Sequence, residues 1–401
     1  MTSERSNRKI LFLDMNSFFA SVEQAEDPTL RHKPVIVVPT QGSCALAASY
    51  EAKAYGVKTG TLEREARRMC PGLISVTARP KLYMAYHHRI VKLLADISPR
   101  VTMRSIDEGS LRLFRNEDPW QLALQIKQAI WQKLSPVVHC SIGIAPNVFL
   151  AKMATELKKP NGLVEITLDS IENNLQQLVL RALCGINRGM ERRLNGLGIY
   201  TPLDFYHADA AFLRQNLGII GHRWWLKLHG YDIDEHYTER KTLSHSHVLP
   251  PAYRQPRHAY MTLQRLTTKV GRRLRQNRSM ARHIALIIRY TDKSFFFDHF
   301  QIGPCADTLN LADHVKRLWL RAAPDRPILQ LALWTSNLVP EQGVPPPIFP
   351  NERKRLSLAE AIDTINDEFG TDTVRFAINQ TEGSRAPDRI SFTALFDIEH
   401  E

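Results

Sequence analysis

The chain has 401 residues, a formal net charge of +12 and 43% hydrophobic residues. A chain of this length exceeds what one hydrophobic core usually organises, so we expect roughly two to four domains. The first apolar stretch, residues 10–13, is too short for a signal-peptide core, and no apolar run reaches the length of a membrane span. The five cysteines contain no CxxC pair. These features predict a cytoplasmic protein with reduced thiols and no structural zinc site.

The positive charge is concentrated in one segment. Residues 240–291 contain twelve Lys or Arg and no Asp or Glu, so this segment alone carries an excess equal to that of the whole chain. Most charged runs are solvated surface, but solvated surfaces usually mix both signs. A segment of a single sign therefore favours a polyanionic partner such as nucleic acid.

The first third of the chain alternates strand-like runs with amphipathic segments. The strand-like runs are residues 10–13, 35–38, 101–106, 110–114 and 137–144. Between Pro119 and Pro136, apolar residues recur every four positions, which predicts a helix with one buried face. When an insertion at residues 20–79 is set aside, the order becomes strand, helix, two strands, helix, strand. This is the order of a split βαβ, or ferredoxin-like, domain.

Acidic residues follow two of these runs. Asp14 comes directly after residues 10–13, and Asp107 with Glu108 follows residues 101–106. Taken alone, an acidic residue in such a place is commonly a turn or a helix cap. In a split βαβ sheet, however, the two runs can lie side by side and bring the three carboxylates together. Shared carboxylates of this kind hold two divalent cations roughly 3.5–4 Å apart in two-metal sites.

The segment at residues 171–228 is predicted to be helical with short breaks. Two of the breaks contain glycine, at residues 185–187 and 196–199. Paired tight turns of this kind can present backbone N–H groups to phosphate oxygens. An ordinary connector that uses glycine as a helix C-cap remains an equal alternative. Residues 231–240 are predicted to be an exposed tether.

A second run of elements repeats the order of the first. Strands are predicted at residues 242–248, 283–290, 294–302 and 328–334, with helices at 260–276 and 309–319. This domain lacks the acids, and its charge predicts a role in gripping DNA. A stiff proline linker at residues 344–347 follows. Ser357 and Glu360 then form a predicted capping box for a helix that ends before Gly370, with an apolar face made by Leu358, Ile362, Ile365 and Phe369.

Four sequence blocks occur together along the chain. They are LDMNSFFASVE at residues 13–23, YEAKAYGVKTG at 50–60, SIDE at 105–108 and KKPNG at 158–162. Their order and spacing resemble those of the Y-family translesion DNA polymerases of the bacterial type, the group of DNA polymerase IV and UmuC. The resemblance covers roughly residues 8–340.

The resemblance implies an α+β multidomain fold. It would have a split βαβ (ferredoxin-like) palm, small fingers, a helical thumb and a second ferredoxin-like domain, the little finger. The implied domains are the palm at 8–20 and 77–168, the fingers at 21–76, the thumb with its helix-hairpin-helix at 169–232, a linker at 233–240, the little finger at 241–340, and a Pro-rich linker and C-terminal tail at 341–401. Asn187 stands where the family has glycine, and since asparagine tolerates the left-handed conformation, we expect the turn to persist.

The resemblance also implies a reaction and its cofactors. A primer 3′-hydroxyl would attack the α-phosphate of a deoxynucleoside triphosphate on a DNA template and release pyrophosphate. Two Mg²⁺ ions would be held by Asp14, Asp107 and Glu108, with the backbone carbonyl of Met15 as a further ligand. The enclosure of the new base pair would be loose, which lets damaged bases enter and lowers fidelity.

Five residues match the family's nucleotide-binding positions. Tyr50, Lys53 and Lys159 would hold the triphosphate, although lysines on helices are usually only solvated. Lys53 replaces the arginine of many relatives, which predicts weaker orientation because lysine is a point charge. Phe19 would be the steric gate that excludes ribonucleotides, with Phe18 as a packing neighbour. The alternative for such a Phe pair is an ordinary core position.

The implied macromolecular partners are primer–template DNA and a sliding clamp. The candidate phosphate contacts are Lys269, Arg272, Arg273, Arg275, Arg278 and Arg282, which predict salt-sensitive binding with little sequence preference. Residues 330–334 resemble a clamp-binding peptide, but their alternating pattern favours a strand. Residues 393–396 are a second candidate. A monomer suffices for one primer terminus.

Two other functions remain as alternatives at this stage. One is a catalytically inactive Y-family-like DNA-binding scaffold in a mutagenesis complex, which would be expected to lack the acids. The other is a two-metal nuclease or nucleotidyl cyclase on a similar split βαβ sheet, against which the Phe19 block and the KKPNG block argue.

Overall fold

The computed structural model describes residues 9–39, 42–233, 241–370 and 372–377. These residues divide into two compact units, one up to residue 233 and one from residue 241. None of the helices in the described residues has the length and apolar character needed to cross a bilayer.

The first unit contains eight strands and ten α-helices in its described residues. The strands are β1 (Ile10–Met15), β2 (Val35–Val38), β3 (Ala47–Ala48), β4 (Ile74–Thr77), β5 (Val101–Met103), β6 (Glu108–Arg112), β7 (Cys140–Ala145) and β8 (Leu163–Glu165). The helices are α1 (Phe18–Glu26), α2 (Tyr50–Ala54), α3 (Glu63–Met69), α4 (Pro80–Ile97), α5 (Pro119–Lys133), α6 (Val148–Leu157), α7 (Ile171–Leu175), α8 (Arg188–Asn195), α9 (Pro202–His207) and α10 (Ala210–Leu228).

The main sheet has the strand order β5-β6-β1-β7-β8, with β1 antiparallel to both neighbours. Every residue of β1 is buried because both faces of the sheet are covered. Leu11 and Leu13 join the core made with α4 and α5, whereas Ile10 and Phe12 join the core shared with α6. Each such fully buried side chain contributes about 1.5–3 kcal/mol. This two-sided burial explains the continuous apolar run, and it fixes the position of Asp14 at the end of the strand.

The structure corrects the predicted strand at residues 101–106. Strand β5 ends at Met103, and the chain then turns, so that the backbone N–H groups of Arg104 and Ser105 both donate to Glu108 O. Asp107 lies in this turn, and Glu108 begins β6. The strand beside β1 is therefore β6, so Asp107 and Glu108 lie at the beginning of a strand and not at the end of one. The turn was missed because residues 101–106 contain no glycine or proline that would mark it.

The insertion between α1 and α4 forms a separate small sheet with the order β3-β2-β4. Helix α2 follows β3, and the Ser49 hydroxyl caps it by accepting from Ala52 N at 3.3 Å. Tyr50 and Lys53 both lie on this helix of five residues. Tyr50 and Lys53 are thus carried by a short helix whose first turn is held by the Ser49 cap.

Helices α7 to α10 follow the main sheet. In the first glycine-containing break, the positive φ belongs to Gly185, at 91°. Asn187 is extended and caps α8, because its Oδ1 accepts from Met190 N at 2.9 Å. The turn persists as expected, but the left-handed residue is the glycine, and asparagine acts as an N-cap.

The second unit contains strands β9 (Thr242–Val248), β10 (Ser279–Tyr290), β11 (Phe295–Cys305) and β12 (Ile328–Pro340), and helices α11 (Pro256–Gln276), α12 (Thr308–Ala322) and α13 (Pro350–Phe369). Its sheet is antiparallel, with the order β11-β10-β12-β9. Helices α11 and α12 contribute to a core with one face of that sheet. The second ferredoxin-like order that the sequence predicted is confirmed element by element.

Helix α13 differs from its prediction. It begins at Pro350, so Ser357 lies inside the helix and the predicted capping box does not form. The predicted apolar face is also wrong, because Leu358 is 47% exposed and Phe369 is 68% exposed, whereas Ala359 and Asn366 are buried. The predicted end before Gly370 is confirmed.

The side of α13 that packs on α11 carries acids. Asp363 makes two hydrogen bonds to Arg275, at 2.6 and 3.0 Å, and Asp367 pairs with Arg272. Asp363 and Asp367 are one helical turn apart and face two arginines three residues apart, so the spacings of the two helices match. The C-terminal helix is therefore an integral part of the second unit.

Candidate active site

The three predicted carboxylates meet at one end of β1. In the pairing of β1 with β6, Asp14 lies directly opposite Glu108, where Cβ atoms are about 4.5–5.5 Å apart. Asp107 precedes Glu108, and its carbonyl accepts from Met15 N at 2.9 Å. Two segments separated by more than ninety residues thus converge as the sequence analysis expected.

Lys152 of α6 reaches the same place, and sequence reasoning missed it. Its ammonium contacts Asp14 Oδ2 at 3.0 Å and forms a direct ion pair with Glu108 Oε1. Its Nζ also lies 5.2 Å from the centre of the Phe12 ring. The sequence did contain a signal, because Lys152 is charged yet stands between apolar residues, and the structure buries both of its neighbours, Ala151 and Met153.

A second ammonium approaches Asp14 from the Lys159 loop, which we define as residues 158–162. Lys159 Nζ lies 2.9 Å from Asp14 Oδ1 and 2.6 Å from Glu156 Oε1. Both oxygens of Asp14 are therefore paired with lysines. The predicted triphosphate ligand Lys159 and the predicted metal ligand Asp14 are direct neighbours.

The electrostatics of the site reflect this crowding. Burial raises the pKa of Asp107, and the charge of Asp14 adds to the rise, whereas a 2.6 Å hydrogen bond from Ser105 opposes it. Burial likewise raises the pKa of Glu108, against the opposing effect of Lys152. Burial lowers the pKa of Lys152, but the carboxylates of Asp14 and Glu108 outweigh it and raise that pKa above its ordinary value. The lysines thus compensate acids that would otherwise repel one another.

The donor set fits a hard divalent cation. Carboxylate oxygens and a backbone carbonyl, as at Asp14, Asp107, Glu108 and Met15, are the ligands that Mg²⁺ prefers. Among the residues that the structure describes, no three His, Cys, Asp or Glu side chains already converge as a metal cluster. The Lys152 ammonium takes an oxygen from each of two of these acids, so both oxygens are occupied by a cation of the protein itself.

The nucleotide-binding candidates lie beside the acids. The Tyr50 hydroxyl is buried near Ser17 but makes no hydrogen bond of ordinary length and angle with the described residues, so its proton can be donated to a ligand oxygen. Burial raises the pKa of Tyr50, so the hydroxyl keeps its proton. Lys53 Nζ lies 2.7 Å from Ser17 Oγ and 4.3 Å from the Tyr50 ring centre. Burial lowers the pKa of Lys53, and the charge of Lys159 adds to this effect.

The aromatic pair at the beginning of α1 is buried. Phe19 is 5% exposed and stacks on Tyr83, with ring centres 4.4 Å apart. Tyr83 is held in turn by a 2.6 Å hydrogen bond to Glu23. Phe18 is 3% exposed. The Phe19 ring is thus held on one face by Tyr83, which is itself anchored by Glu23, and a ring held in this way is suited to excluding a larger sugar by its bulk.

A polar network holds the Lys159 loop against β1. Lys127 of α5 donates to Asn161 Oδ1 at 2.6 Å, and Asn161 N donates to Asn16 Oδ1 at 2.7 Å. Asn16 in turn donates to Ser141 Oγ at 3.0 Å. A Cβ atom on Gly162 would lie 2.1 Å from Lys158 O, so glycine is required there. The motif KKPNG is therefore a scaffold that places Lys159, with Lys127 as a support that the sequence did not reveal.

The predicted DNA-binding residues of the second unit have different environments. Arg272 and Arg275 are paired with the acids of α13, so their guanidiniums are not presented to DNA in this structure. Arg273 Nη1 lies 3.1 Å from His245 Nδ1, and Lys269 is half-buried. Arg278 and Arg282 are exposed.

The two clamp-binding candidates also differ. Residues 330–334 lie within β12, with Leu331 and Leu333 fully buried, so the strand interpretation is confirmed. The second candidate, residues 393–396, lies outside the described residues.

Comparison with known proteins gives consistent matches. The model of the impB/mucB/samB family matches residues 13–156, and the model of that family's C-terminal domain matches residues 240–345. DNA polymerase IV of Pelotomaculum thermopropionicum is 32% identical over 394 residues, which cover 93% of this chain and 95% of the relative. DNA polymerase IV of Moorella thermoacetica is 32% identical over 395 residues, which cover 94% of this chain and 97% of the relative.

Solved structures agree with these relatives. A Y-family DNA polymerase chimera of Dbh and Dpo4 is 26% identical, with a TM-score of 0.68, over 83% of this chain and 99% of that chain. An insertion ternary complex of Dbh DNA polymerase matches over the same shares at 26% identity, with a TM-score of 0.54. The α+β fold with a separate C-terminal sheet domain is thereby confirmed. The chain belongs to the impB/mucB/samB family of Y-family DNA polymerases.

Proposed function

We propose that this chain is a template-directed DNA polymerase of low fidelity that performs translesion synthesis. It transfers a deoxynucleotide from its triphosphate to a primer 3′-hydroxyl and releases pyrophosphate. The observation that carries this function is the pairing of Asp14 with Glu108 across β1 and β6, with Asp107 beside them, in a chain of this family. The inactive scaffold is disfavoured because the acids and the neighbouring lysines are all present.

We assign two Mg²⁺ ions to the metal site. Asp14, Asp107 and Glu108 would hold them, together with the backbone carbonyl of Met15. When bound, the ions supply Lewis acidity that lowers the pKa of the primer hydroxyl and neutralises phosphate charge. The protein's own contribution is position, since β1 and β6 hold the carboxylates at fixed places on a buried sheet.

The nucleotide is oriented by groups on two elements. Tyr50 and Lys53 on α2 and Lys159 on its loop offer one hydroxyl and two ammoniums to the triphosphate. The unpartnered Tyr50 hydroxyl supports this role, because a buried donor without a partner is costly unless a ligand satisfies it. Phe19, backed by Tyr83, would close the space beneath the sugar so that a 2′-hydroxyl does not fit.

The domain assignment follows the family resemblance. We assign the palm to residues 8–20 and 77–168, the fingers to 21–76, the thumb to 169–232, the linker to 233–240, the little finger to 241–340 and the tail to 341–401. Within the tail, α13 packs on the little finger through its ion pairs with α11. In the little finger, Arg278 and Arg282 remain candidate phosphate contacts because they are exposed. Arg289, His283 and His299 are further candidate phosphate contacts. Cross-strand pairing places them on the face of the sheet opposite α11 and α12.

Two partner assignments go beyond substrates. The clamp-binding segment is assigned to the tail, because residues 330–334 are committed to β12. A pull-down with a sliding clamp, using the full chain and a chain shortened before residue 393, tests this assignment. We also propose a monomer in the cytoplasm, and sedimentation of the chain with and without primer–template DNA tests its oligomeric state.

The polymerase function is tested by primer extension with Mg²⁺ and all four deoxynucleotides. Asp107→Ala should abolish extension while retaining primer–template binding, because it removes a candidate metal ligand in the first unit and leaves the basic second unit intact. Lys133→Met, an exposed change on α5, serves as the control and should extend normally. Normal extension by Asp107→Ala would refute the assignment of the site.

A further inference from the structure

We propose that Lys152 is a built-in counterion that lies where a metal held by Asp14 and Glu108 would lie, and that a divalent cation must displace it to bind. This inference rests on the proposed metal site and deepens it. Its basis is one ammonium that bridges two acids from two different strands. Lys152 Nζ contacts Asp14 Oδ2 at 3.0 Å and pairs directly with Glu108 Oε1.

The geometry distinguishes this arrangement from an ordinary surface ion pair. The side chain of Lys152 is 21% exposed, and that of Asp14 is 9% exposed, so solvent screens the contact only weakly. The oxygens that Lys152 occupies belong to the carboxylates proposed to hold the metal. An ammonium and a divalent cation compete directly for such oxygens, because each needs the same lone pairs.

The counterion reduces the repulsion among the three carboxylates. Asp14 and Glu108 face each other across β1 and β6, with Asp107 adjacent, and three close carboxylates repel when no cation lies among them. Lys152 supplies that cation from α6, whose neighbouring residues Ala151 and Met153 are buried and keep the helix in place. The chain can therefore fold with its three carboxylates close together before any metal is bound.

Lys159 extends this arrangement to the nucleotide. It holds the other oxygen of Asp14 at 2.9 Å and is also a candidate triphosphate ligand. An incoming triphosphate attracts Lys159 away from Asp14, while the metal that accompanies it replaces Lys152. Metal binding is thereby favoured when nucleotide is present and weak when metal arrives alone.

Binding of Mn²⁺ to the full chain, without DNA or nucleotide, tests the inference by titration calorimetry or by the resonance signal of free Mn²⁺. Lys152→Met should bind Mn²⁺ on the order of tenfold more tightly than the wild type, because the competing ammonium is gone. Lys152→Arg keeps a competing cation and should stay near the wild type. Lys133→Met is the matched control, since Lys133 is exposed on α5 and lies outside the Lys159 loop, and its affinity should not change.

Equal affinities of Lys152→Met and the wild type would overturn the inference, as would an equal gain in Lys133→Met. Asp107→Asn separates the two proposals: if Mn²⁺ binding depends on Asp107 but not on Lys152, the metal site stands and the counterion role fails. If Mn²⁺ binds none of the proteins, both fail.

A measurement on the wild type covers the case in which Lys152→Met does not fold. Reductive methylation followed by mass spectrometry reports the reactivity of each lysine. Saturating Mn²⁺ should speed the modification of Lys152 severalfold by releasing it from its carboxylates, whereas the exposed Lys133 should react at an unchanged rate. An unchanged rate at Lys152 under saturating Mn²⁺ would overturn the inference.

Discussion

Replacing Lys127 with methionine tests how the Lys159 loop is held. The ammonium lies 2.8 Å from Cys140 O, 2.9 Å from Asn161 O, 2.6 Å from Asn161 Oδ1 and 3.3 Å from Gly162 O. An ammonium has three N–H donors, so its removal leaves up to three of these acceptors without a partner. At about 1 kcal/mol net for each bond in a half-buried place, the loss is about 2–3 kcal/mol.

The loss should appear in nucleotide binding, because Asn161 and Gly162 form the loop that places Lys159. If the whole loss is expressed there, KM for the incoming deoxynucleotide rises about 30- to 150-fold. The turnover number should change much less, since the loop binds substrate and transition state alike. Single-nucleotide insertion by Lys127→Met, measured over a range of triphosphate concentrations, provides both values.

The control is Lys133→Met, which removes the same charge from an exposed position on the same helix. The circular dichroism of both variants should match that of the wild type. A folded Lys127→Met enzyme with a wild-type KM would show that the loop does not depend on this ammonium. An equal rise in KM for Lys133→Met would assign the effect to net charge.

Three further changes have expected outcomes. Phe19→Ala should raise ribonucleotide insertion at least tenfold relative to deoxynucleotide insertion, measured by competing the two triphosphates; retained exclusion would refute the gate. Gly143→Ala should destabilise the fold by about 1–3 kcal/mol or more in urea unfolding, because its Cβ would lie 2.0 Å from Ala151 O. Although burial opposes it, hydrogen bonds, including that from Arg67, lower the pKa of Glu63. The advantage of the wild type over Glu63→Gln, about 1–2 kcal/mol at pH 7, should therefore shrink as pH falls below the ordinary carboxyl range; an advantage that persists in acid would contradict this.

The sequence predicted elements whose pattern is local. In the second unit, the alternating apolar residues at the beginning of β12 and the apolar stripe of α11 are visible without knowledge of the partners, and both elements were predicted close to their observed positions. The end of β5 was missed because the turn at Arg104 and Ser105 depends on hydrogen bonds to Glu108 and not on a glycine or proline.

The convergence of Asp14 with Asp107 and Glu108 was predicted, but two other long-range pairings between side chains were not. Lys152 meets Asp14 across 138 positions of the chain, and a lysine within an apolar helix gives no indication of its partner. Arg275 meets Asp363 across 88 positions, so the basic stretch of α11 was interpreted as free charge. Ser357 has the spacing of a capping box, but Pro350 begins the helix earlier, since proline is favoured in the first turn.

The acids of α13 bear on how shortened versions of this enzyme behave. A polypeptide cut after residue 345 keeps the whole region that matches the family's C-terminal domain model, yet it loses the acidic partners of Arg272 and Arg275. The positive charge of these two arginines, no longer compensated, would attract heparin, RNA and DNA alike, and the attraction would increase steeply as salt is lowered. Tight nucleic-acid binding by such a fragment would then reflect the arginines exposed by truncation and not the affinity of the intact polymerase.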